Sequence, residues 1–160
     1  MFKPNFKFDK ITDITLEFLN KNNISALLLD VDNTLSTHHG EQLGVGVLEW
    51  IKQIQKGNIK LLVISNSKRK RVEPFCEKIG LDFVSLALKP LPFGFMKAIK
   101  KIGLKSENIA IVGDQLFTDS LGGNFVGIKT ILLTPILPEN GVSFKIRRRI
   151  EKEFLKRYKF

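Results

Sequence analysis

Two aspartates follow an apolar run near the start of the chain. In the stretch LLLDVDNTLS, residues 27–36, Asp30 and Asp32 come directly after a segment that favours a buried strand. If the strand continues, both side chains lie on the same side of it. Two carboxylates placed in this way repel each other, so the position requires a counter-charge. A hard, oxygen-seeking cation such as Mg²⁺ would supply one.

Other polar residues with useful chemistry stand where later apolar segments end. The segment IKLLVIS ends in Ser65 and is followed by Asn66, NIAIVGD ends in Asp114, and Asp119 comes one helical turn later. Lys89 follows the segment LDFVSLA. Each residue alone could equally be a helix cap or a loop residue. Together they supply acids, a hydroxyl and a cation.

The elements that must position these residues alternate between strand and helix patterns. Strands are predicted at 25–30, 59–65, 81–87, 108–114 and 129–134, and helices at 44–56, 68–79, 92–103 and 118–125. Continuous apolar strands separated by helices predict a single α/β domain with a doubly wound parallel sheet of about five strands. Ligands bind such sheets beyond the carboxyl ends of the strands, where these polar residues would meet.

The two ends of the chain carry further helical patterns. Residues 1–22 form an aromatic, basic tail followed by an amphipathic helix, with apolar spacing at Ile11, Ile14, Phe18 and Leu19. Residues 141–160 form a basic helix with one apolar stripe, made of Ile146, Ile150, Phe154 and Tyr158. The segment 145–159 holds eight Lys or Arg against two Glu, so it carries +6 of the total charge.

The net charge, the cysteine content and the hydrophobic stretches indicate which partners and which cellular compartment the protein has. The formal charge of +10 and the pI of about 9.8 predict attraction to phosphate esters, nucleic acid or an acidic membrane. The single cysteine, Cys76, favours a reducing, cytoplasmic setting. Uncharged stretches reach only nine residues and no signal-peptide pattern is present, so we expect a cytoplasmic protein that at most rests on the inner face of a membrane.

Four short motifs resemble those of the haloacid dehalogenase (HAD) superfamily of phosphotransferases. They are DVDNT, VISNS, the lysine at position 89 and GDQLFTD, in the expected order at the predicted strand ends. LALKP, GDQLFTDSLGGN and the Arg-rich tail further resemble the YqeG-type class IIIA phosphatases, the family related to phosphatidylglycerophosphate phosphatase. The resemblance implies one Rossmann-like HAD domain across residues 1–160.

The resemblance also implies chemical roles for the motif residues. Asp30 would be the nucleophile that forms an aspartyl-phosphate, and Asp32 the general acid and base. Ser65, Asn66 and Lys89 would bind the phosphoryl group, with Ser65 and Lys89 counted among the catalytic residues.

The same resemblance implies a magnesium site. Mg²⁺ would be held by the Asp30 carboxylate, the Asp32 main-chain carbonyl and Asp114, with Asp119 acting through water or orienting the other ligands.

The gaps between motifs bear on the substrate. Residues 36–58 and 67–88 are too short to contain a cap domain, so the predicted site is open to a bulky substrate. The run SKRKR, residues 67–71, would attract an anionic substrate or membrane, or would be an ordinary solvated charge run. His38 and His39 lie in the loop after the first motif, and we interpret them as exposed rather than catalytic.

Together with these observations, the resemblance implies a Mg²⁺-dependent phosphomonoesterase that acts on phosphatidylglycerophosphate. We expect its partner to be an anionic phospholipid headgroup, with peripheral contact between the basic C-terminal helix and an anionic membrane. One alternative keeps the chemistry and changes the substrate to a soluble phosphate ester or a phosphoprotein. Another is a basic RNA- or ribosome-associated protein on an idle fold, which the absence of a nucleic-acid motif disfavours.

Overall fold

A parallel six-stranded sheet organises the protein. The computed structural model describes residues 2–36, 42–135 and 142–157, which form one α/β domain. The strands are β1 (Phe6–Phe8), β2 (Ala26–Leu29), β3 (Lys60–Ile64), β4 (Asp82–Val84), β5 (Ile109–Gly113) and β6 (Lys129–Leu133). Their order in the sheet is β1-β6-β5-β2-β3-β4. The predicted doubly wound parallel sheet is confirmed, with one strand more than the five predicted.

The additional strand comes from the N-terminal tail. Phe6 of β1 pairs with Ile131 of β6 in a parallel register. The rings of Phe6 and Phe8 each lie 4.9 Å from the ring of Phe18. The helix predicted for this region is confined to α1 (Leu16–Lys21), which lies after Ile11 and Ile14 rather than including them. A three-residue edge strand is too short to give a recognisable alternation in the sequence.

Helices cover both faces of the sheet. They are α1, α2 (Val47–Lys56), α3 (Arg69–Ile79), α4 (Pro92–Ile102), α5 (Leu121–Phe125) and α6 (Val142–Arg157). The apolar side chains of α2 and α3 pack on the face that contains Leu27 and Leu29. Those of α4 pack on the opposite face, around Leu28. All four residues of β2 are buried, which explains its unbroken hydrophobic sequence.

The chain reverses direction across the sheet beside β2. It runs outward through β3 and β4 on one side, and then through β5 and β6 on the other. Leu29 pairs with both Val63 and Val112, so the carboxyl ends of the three central strands are level. Ligands bind at such a crevice in open α/β sheets. Within the described residues, neither the β2–α2 connection nor the segment from β3 to α4 contains an inserted domain.

The loop between β4 and α4 is packed closely against the start of α4. A Cβ atom built on Gly94 would lie 2.3 Å from the carbonyl oxygen of Ala87, a contact that the backbone cannot relieve without moving. Both residues are buried. Gly94 therefore fixes the distance between α4 and the loop that carries Lys89.

Replacement of Gly94 by alanine should destabilise the protein by about 1–3 kcal/mol, because the added methyl group overpacks the α4–loop contact. In an unconstrained helix the same change would stabilise by roughly 0.5–1 kcal/mol, so the sign of the effect is informative. Urea unfolding measures the change. Met96→Ala, at an exposed position of the same helix, is the control and should stay within about 0.5 kcal/mol of the wild type. A Gly94→Ala variant as stable as the wild type would show that this contact does not constrain the loop.

Candidate active site

A buried lysine joins two aspartates from different elements. The Lys89 ammonium donates hydrogen bonds to Asp30 Oδ1 at 2.8 Å and to Asp119 Oδ1 at 2.7 Å. Asp30 follows β2, Lys89 lies in the loop before α4, and Asp119 lies in a π-helical turn after β5. All three side chains are buried. The structure therefore brings together three of the residues that the motifs predict.

Burial strongly affects the protonation of this group. Burial raises the pKa of Asp30 to about 7, although the Lys89 ammonium acts in the opposite direction. Burial alone would lower the pKa of Lys89, but the carboxylates of Asp119 and Asp30 outweigh it and hold that pKa above its usual value. Lys89 therefore stays positively charged, while Asp30 needs further positive charge to be fully ionised at neutral pH.

A third carboxylate completes a cluster that fits a divalent cation. One carboxylate oxygen from each of Asp30, Asp114 and Asp119 lies within 4.8 Å of the others. Among the described residues, buried Asp114 Oδ1 has no hydrogen-bond partner, and burial raises the pKa of Asp114 to about 8. An unpartnered carboxylate oxygen within a group of oxygen donors fits a hard cation such as Mg²⁺.

A tight turn places Asp119 beside the end of β5. Asp119 lies in the π-helical turn Leu116–Ser120, and its Oδ2 accepts a hydrogen bond from the backbone N–H of Gln115 at 3.2 Å. A Cβ atom on Gly113 would come within 2.2 Å of that same oxygen. The motif therefore needs glycine at this position because the Asp119 carboxylate occupies the space of a side chain.

Asp32 lies in a separate ion pair. Both of its carboxylate oxygens accept hydrogen bonds from Arg71, at 2.5 and 3.0 Å, and Arg71 also donates to Ser67 Oγ at 2.6 Å. The Asp32 side chain is therefore not part of the carboxylate cluster, and its predicted contact with metal through the main-chain carbonyl stays a prediction. Arg71 was not singled out from the sequence, because nothing in SKRKR distinguishes the one inward-facing cation from its exposed neighbours.

Ser65 and Asn66 connect the end of β3 to the lysine loop. Ser65 Oγ accepts a hydrogen bond from the backbone N–H of Ser67 at 3.1 Å. The Asn66 side chain accepts from the backbone N–H of Lys89 at 2.7 Å and donates to its carbonyl oxygen at 3.1 Å. Asn66 thus holds the loop in place, while Ser65 lies one residue beyond β3 at the same edge of the sheet as Asp30.

The C-terminal helix reaches into the site with two charged residues. Arg148 donates to the carbonyl oxygen of Asp114 at 2.6 Å, pairs with its Oδ2, and contacts Glu151 Oε2 at 3.0 Å. Buried Glu151 accepts a hydrogen bond from the backbone N–H of Leu116 at 3.1 Å. Helix α6 therefore holds one Asp114 oxygen, Oδ2, in an ion pair.

The predicted apolar stripe of this helix does not form one packed face. Ile146 and Ile150 are exposed, whereas Phe154 packs against the rings of Phe2 and Phe117 at 5.5 and 5.8 Å. The polar contacts of Arg148 and Glu151 set the orientation of the helix, and spacing alone could not reveal them. Tyr158, His38 and His39 lie outside the described residues.

Comparison with known proteins agrees with the geometry. The family described as haloacid dehalogenase-like hydrolase matches residues 8–133. "Probable phosphatase YqeG" of Bacillus subtilis is 34% identical over 154 residues, which are 96% of this chain and 90% of that protein. The similarity therefore extends over nearly the whole chain.

More distant phosphatases share part of the chain. The 3-deoxy-D-manno-octulosonate 8-phosphate phosphatase KdsC of Escherichia coli K12 is 30% identical over 107 residues, 59% of this chain and 55% of that protein. The cobalt-bound structure of deoxy-D-mannose-octulosonate 8-phosphate phosphatase (YrbI) from Haemophilus influenzae has a TM-score of 0.57 and 19% identity, covering 79% of this chain and 75% of that one. That structure supports the fold.

Among the described residues, no helix is both long and apolar enough to cross a bilayer.

In metal-free protein, we expect the buried carboxyls to reduce stability as pH rises from about 4 to about 8. Burial raises the pKa of Asp30 to about 7 and of Asp114 to about 8, both from 3.8. The folded state thus retains protons that the unfolded state has lost, and the stability present at low pH disappears as pH passes through the folded values.

Urea unfolding in EDTA at about pH 5 and about pH 8 measures this dependence. Asp114→Asn should reduce the loss by on the order of a few kcal/mol, whereas Asp82→Asn, at an exposed aspartate, should leave it intact. If the stability of the Asp114→Asn variant depended on pH as in the wild type, the pH dependence could not come from the buried Asp114 carboxyl.

Removal of the Arg148 side chain should weaken divalent-ion binding, because Asp114 would lose the group that orients it. Residues that support metal ligands typically change affinity by about 10- to 100-fold when mutated. Titration with Mn²⁺, followed by electron paramagnetic resonance, measures the dissociation constant. Arg149→Ala removes the same charge from an exposed position of the same helix and is the matched control. Equal or tighter Mn²⁺ binding by folded Arg148→Ala would show that this ion pair does not support the site.

Proposed function

The chain belongs to the haloacid dehalogenase-like hydrolases, and from this premise we propose a Mg²⁺-dependent phosphatase that uses Asp30 as its nucleophile and a lipid phosphomonoester as its substrate. The observation that carries the proposal is the contact between the Lys89 ammonium and Asp30 within the three-carboxylate cluster. Lys89 and a bound cation would both favour the ionised, nucleophilic form of Asp30. The same charges would attract the phosphate group.

In the proposed reaction, a carboxylate oxygen of Asp30 attacks phosphorus and the bond to the leaving oxygen breaks. The product is an alcohol and an aspartyl-phosphate on Asp30. Water then attacks the phosphorus, which releases inorganic phosphate and restores the carboxylate. Two easier displacements thus replace one difficult hydrolysis.

Asp32 is the proposed proton carrier for both steps. It would donate a proton to the leaving oxygen and then accept one from the attacking water. The two-point contact with Arg71 stabilises the carboxylate form of Asp32. That form is suited to the second step, whereas protonation for the first step must compete with Arg71.

The remaining motif residues would hold the phosphoryl group and the cation. Ser65 and Lys89 would bind phosphoryl oxygens, and Asn66 would support them by fixing the backbone at Lys89. Asp30 and Asp114 would hold Mg²⁺, supported by Asp119 and by the main-chain carbonyl of Asp32. A bound Mg²⁺ supplies positive charge that favours transfer of the phosphoryl group. The cobalt-bound phosphatase from Haemophilus influenzae supports a divalent cation in this fold.

Several features favour a phospholipid such as phosphatidylglycerophosphate as substrate. The described residues around the crevice contain no inserted domain that would enclose a small molecule. The net charge of +10 favours an anionic surface, and the basic helix α6 would contribute peripheral contact with the inner face of the membrane. The sequence resemblance to class IIIA phosphatases points to the same substrate.

A soluble phosphate ester is the second candidate. It is favoured by the similarity to KdsC, whose name specifies 3-deoxy-D-manno-octulosonate 8-phosphate. The two candidates share the site and differ only in the group that leaves. A phosphate-release panel of phosphatidylglycerophosphate in mixed micelles, a sugar phosphate, a nucleotide and a phosphopeptide separates them. The highest kcat/KM on the lipid, lost in EDTA, is the expected result, and a preference for any soluble ester would overturn the lipid proposal.

Asp30→Asn should abolish phosphate release from every substrate of this panel, because an amide cannot form the aspartyl-phosphate. We expect a loss of about a thousandfold or more in kcat. Asp82→Asn makes the same chemical change at an exposed aspartate that pairs with Lys101 and should retain wild-type turnover. Substantial Mg²⁺-dependent activity in purified Asp30→Asn would rule out this mechanism.

A further inference from the structure

Five large apolar side chains lie exposed around the lysine loop. They are between 50% and 69% exposed. We call them the apolar rim, which consists of Leu86, Leu88, Leu91, Phe93 and Met96. Scattered apolar residues are common on protein surfaces, but here five exposed ones fall within eleven positions of one segment, and concentrated exposed apolar surface is typical of an interaction site.

The rim lies beside the proposed active site. β4 ends at Val84 and α4 begins at Pro92, so the connecting loop lies at the carboxyl edge of the sheet, where Asp30 also lies. Along the loop, Leu86 and Leu88 are exposed while Ala87 and Lys89 are buried. The same short segment therefore directs the catalytic ammonium inward and two leucines outward.

The backbone of this loop does not itself call for leucine. Leu86 and Leu88 have φ values of +47° and +55°, in the left-handed region that leucine rarely adopts. Glycine or asparagine would fit this conformation with less strain. Both leucines are more than half exposed at these strained positions, so their apolar side chains point to a contact outside the chain.

Cations flank the apolar rim at the same edge. Lys68, Arg69 and Lys70 are exposed at the start of α3, and the backbone N–H of Leu86 donates to the carbonyl oxygen of Ser67 at 2.9 Å. Arg69 pairs with Glu73, whereas Lys68 and Lys70 extend the positive charge toward solvent. Apolar side chains next to lysines are typical of surfaces that enter the interface of an anionic bilayer.

We propose that the apolar rim docks onto the surface of an anionic phospholipid bilayer and brings the active site to a headgroup phosphate. This inference rests on the proposed lipid phosphatase and deepens it by naming the surface that meets the membrane. The leucines and Phe93 enter the interfacial region, while Lys68 and Lys70 face lipid phosphates. A headgroup phosphate can then approach Asp30 without the lipid leaving the bilayer.

A bilayer fits this surface better than a second copy of the chain. A symmetric pair, rim against rim, would bring together two chains that each carry a formal charge of +10, with Lys68 and Lys70 of both copies at the same interface. Like charges placed close together oppose association, whereas anionic lipids provide the complementary charge. The charge beside the rim therefore selects the partner.

The double variant Leu86→Asn/Leu88→Asn tests the proposal with little risk to folding. Asparagine removes the apolar side chains and suits the left-handed backbone, so thermal stability should be retained or increased. Co-sedimentation uses phosphatidylcholine vesicles with and without phosphatidylglycerol. We expect the wild type to bind the phosphatidylglycerol vesicles and the double variant to bind them about tenfold or more weakly. Turnover of p-nitrophenyl phosphate should stay unchanged.

Phe125→Asn is the matched control. Phe125 is exposed at the end of α5, close to the start of β6. It therefore lies near the amino ends of the strands, whereas the apolar rim lies near their carboxyl ends. The Phe125→Asn variant should bind phosphatidylglycerol vesicles as strongly as the wild type. Vesicle binding needs no turnover, so it can be read even if the phosphatase proposal fails.

Three results would overturn the inference. One is unchanged vesicle binding by the double variant. Another is loss of binding only when Ile146 and Ile150 of α6 are replaced by asparagine. The third is a wild type that forms a dimer through the rim, detected by sedimentation velocity and lost in the double variant, without binding vesicles.

Discussion

Repulsion among buried carboxylates is the constraint on which this structure depends. Four aspartates are gathered at the end of a hydrophobic sheet, where each negative charge would be costly without a partner. Three cations from different segments of the chain pair with these four aspartates. Lys89 serves Asp30 and Asp119, Arg71 serves Asp32, and Arg148 serves Asp114. In the part of the chain that the structure describes, Asp114 Oδ1 has no hydrogen-bond partner, so the compensation there is incomplete and a metal cation would complete it.

These pairings make distant elements parts of one site. Arg71 ties α3 to the end of β2, the lysine loop ties α4 to β2 and β5, and Arg148 with Glu151 ties α6 to the turn after β5. Electrostatic and hydrogen-bonding contacts thus connect α3 on one face of the sheet and α4 on the other, together with α6, to the same site. A disturbance of α6 would therefore be felt at Asp114, which gives the basic terminal helix a structural reason to be present whether or not it touches a membrane.

The positions of the predicted residues followed from the sequence because they depend on local patterns. Apolar runs ending in Asp30, Ser65 and Asp114 predict parallel strands whose carboxyl ends meet, and the structure agrees. The orientation of α6 could not be predicted, since its apolar spacing favoured a face with Ile146 and Ile150, whereas long-range pairing turned Arg148 inward. Arg71 was hidden among three exposed cations for the same reason. Which cation faces inward depends on partners far away in the sequence. β1 was missed for a different reason, because a strand of three residues gives too short a pattern.

We propose that this balance of charges makes Asp30 the residue that accepts the phosphoryl group. Trapping measures it most directly. The enzyme is mixed with substrate and Mg²⁺, quenched in acid and treated with borohydride, which reduces an aspartyl-phosphate to homoserine, and the site is then located by peptide mass spectrometry. We expect homoserine at position 30. Homoserine at a different aspartate would contradict this proposal. So would the absence of homoserine in an active enzyme for which rapid quenching shows that a phosphorylated intermediate accumulates.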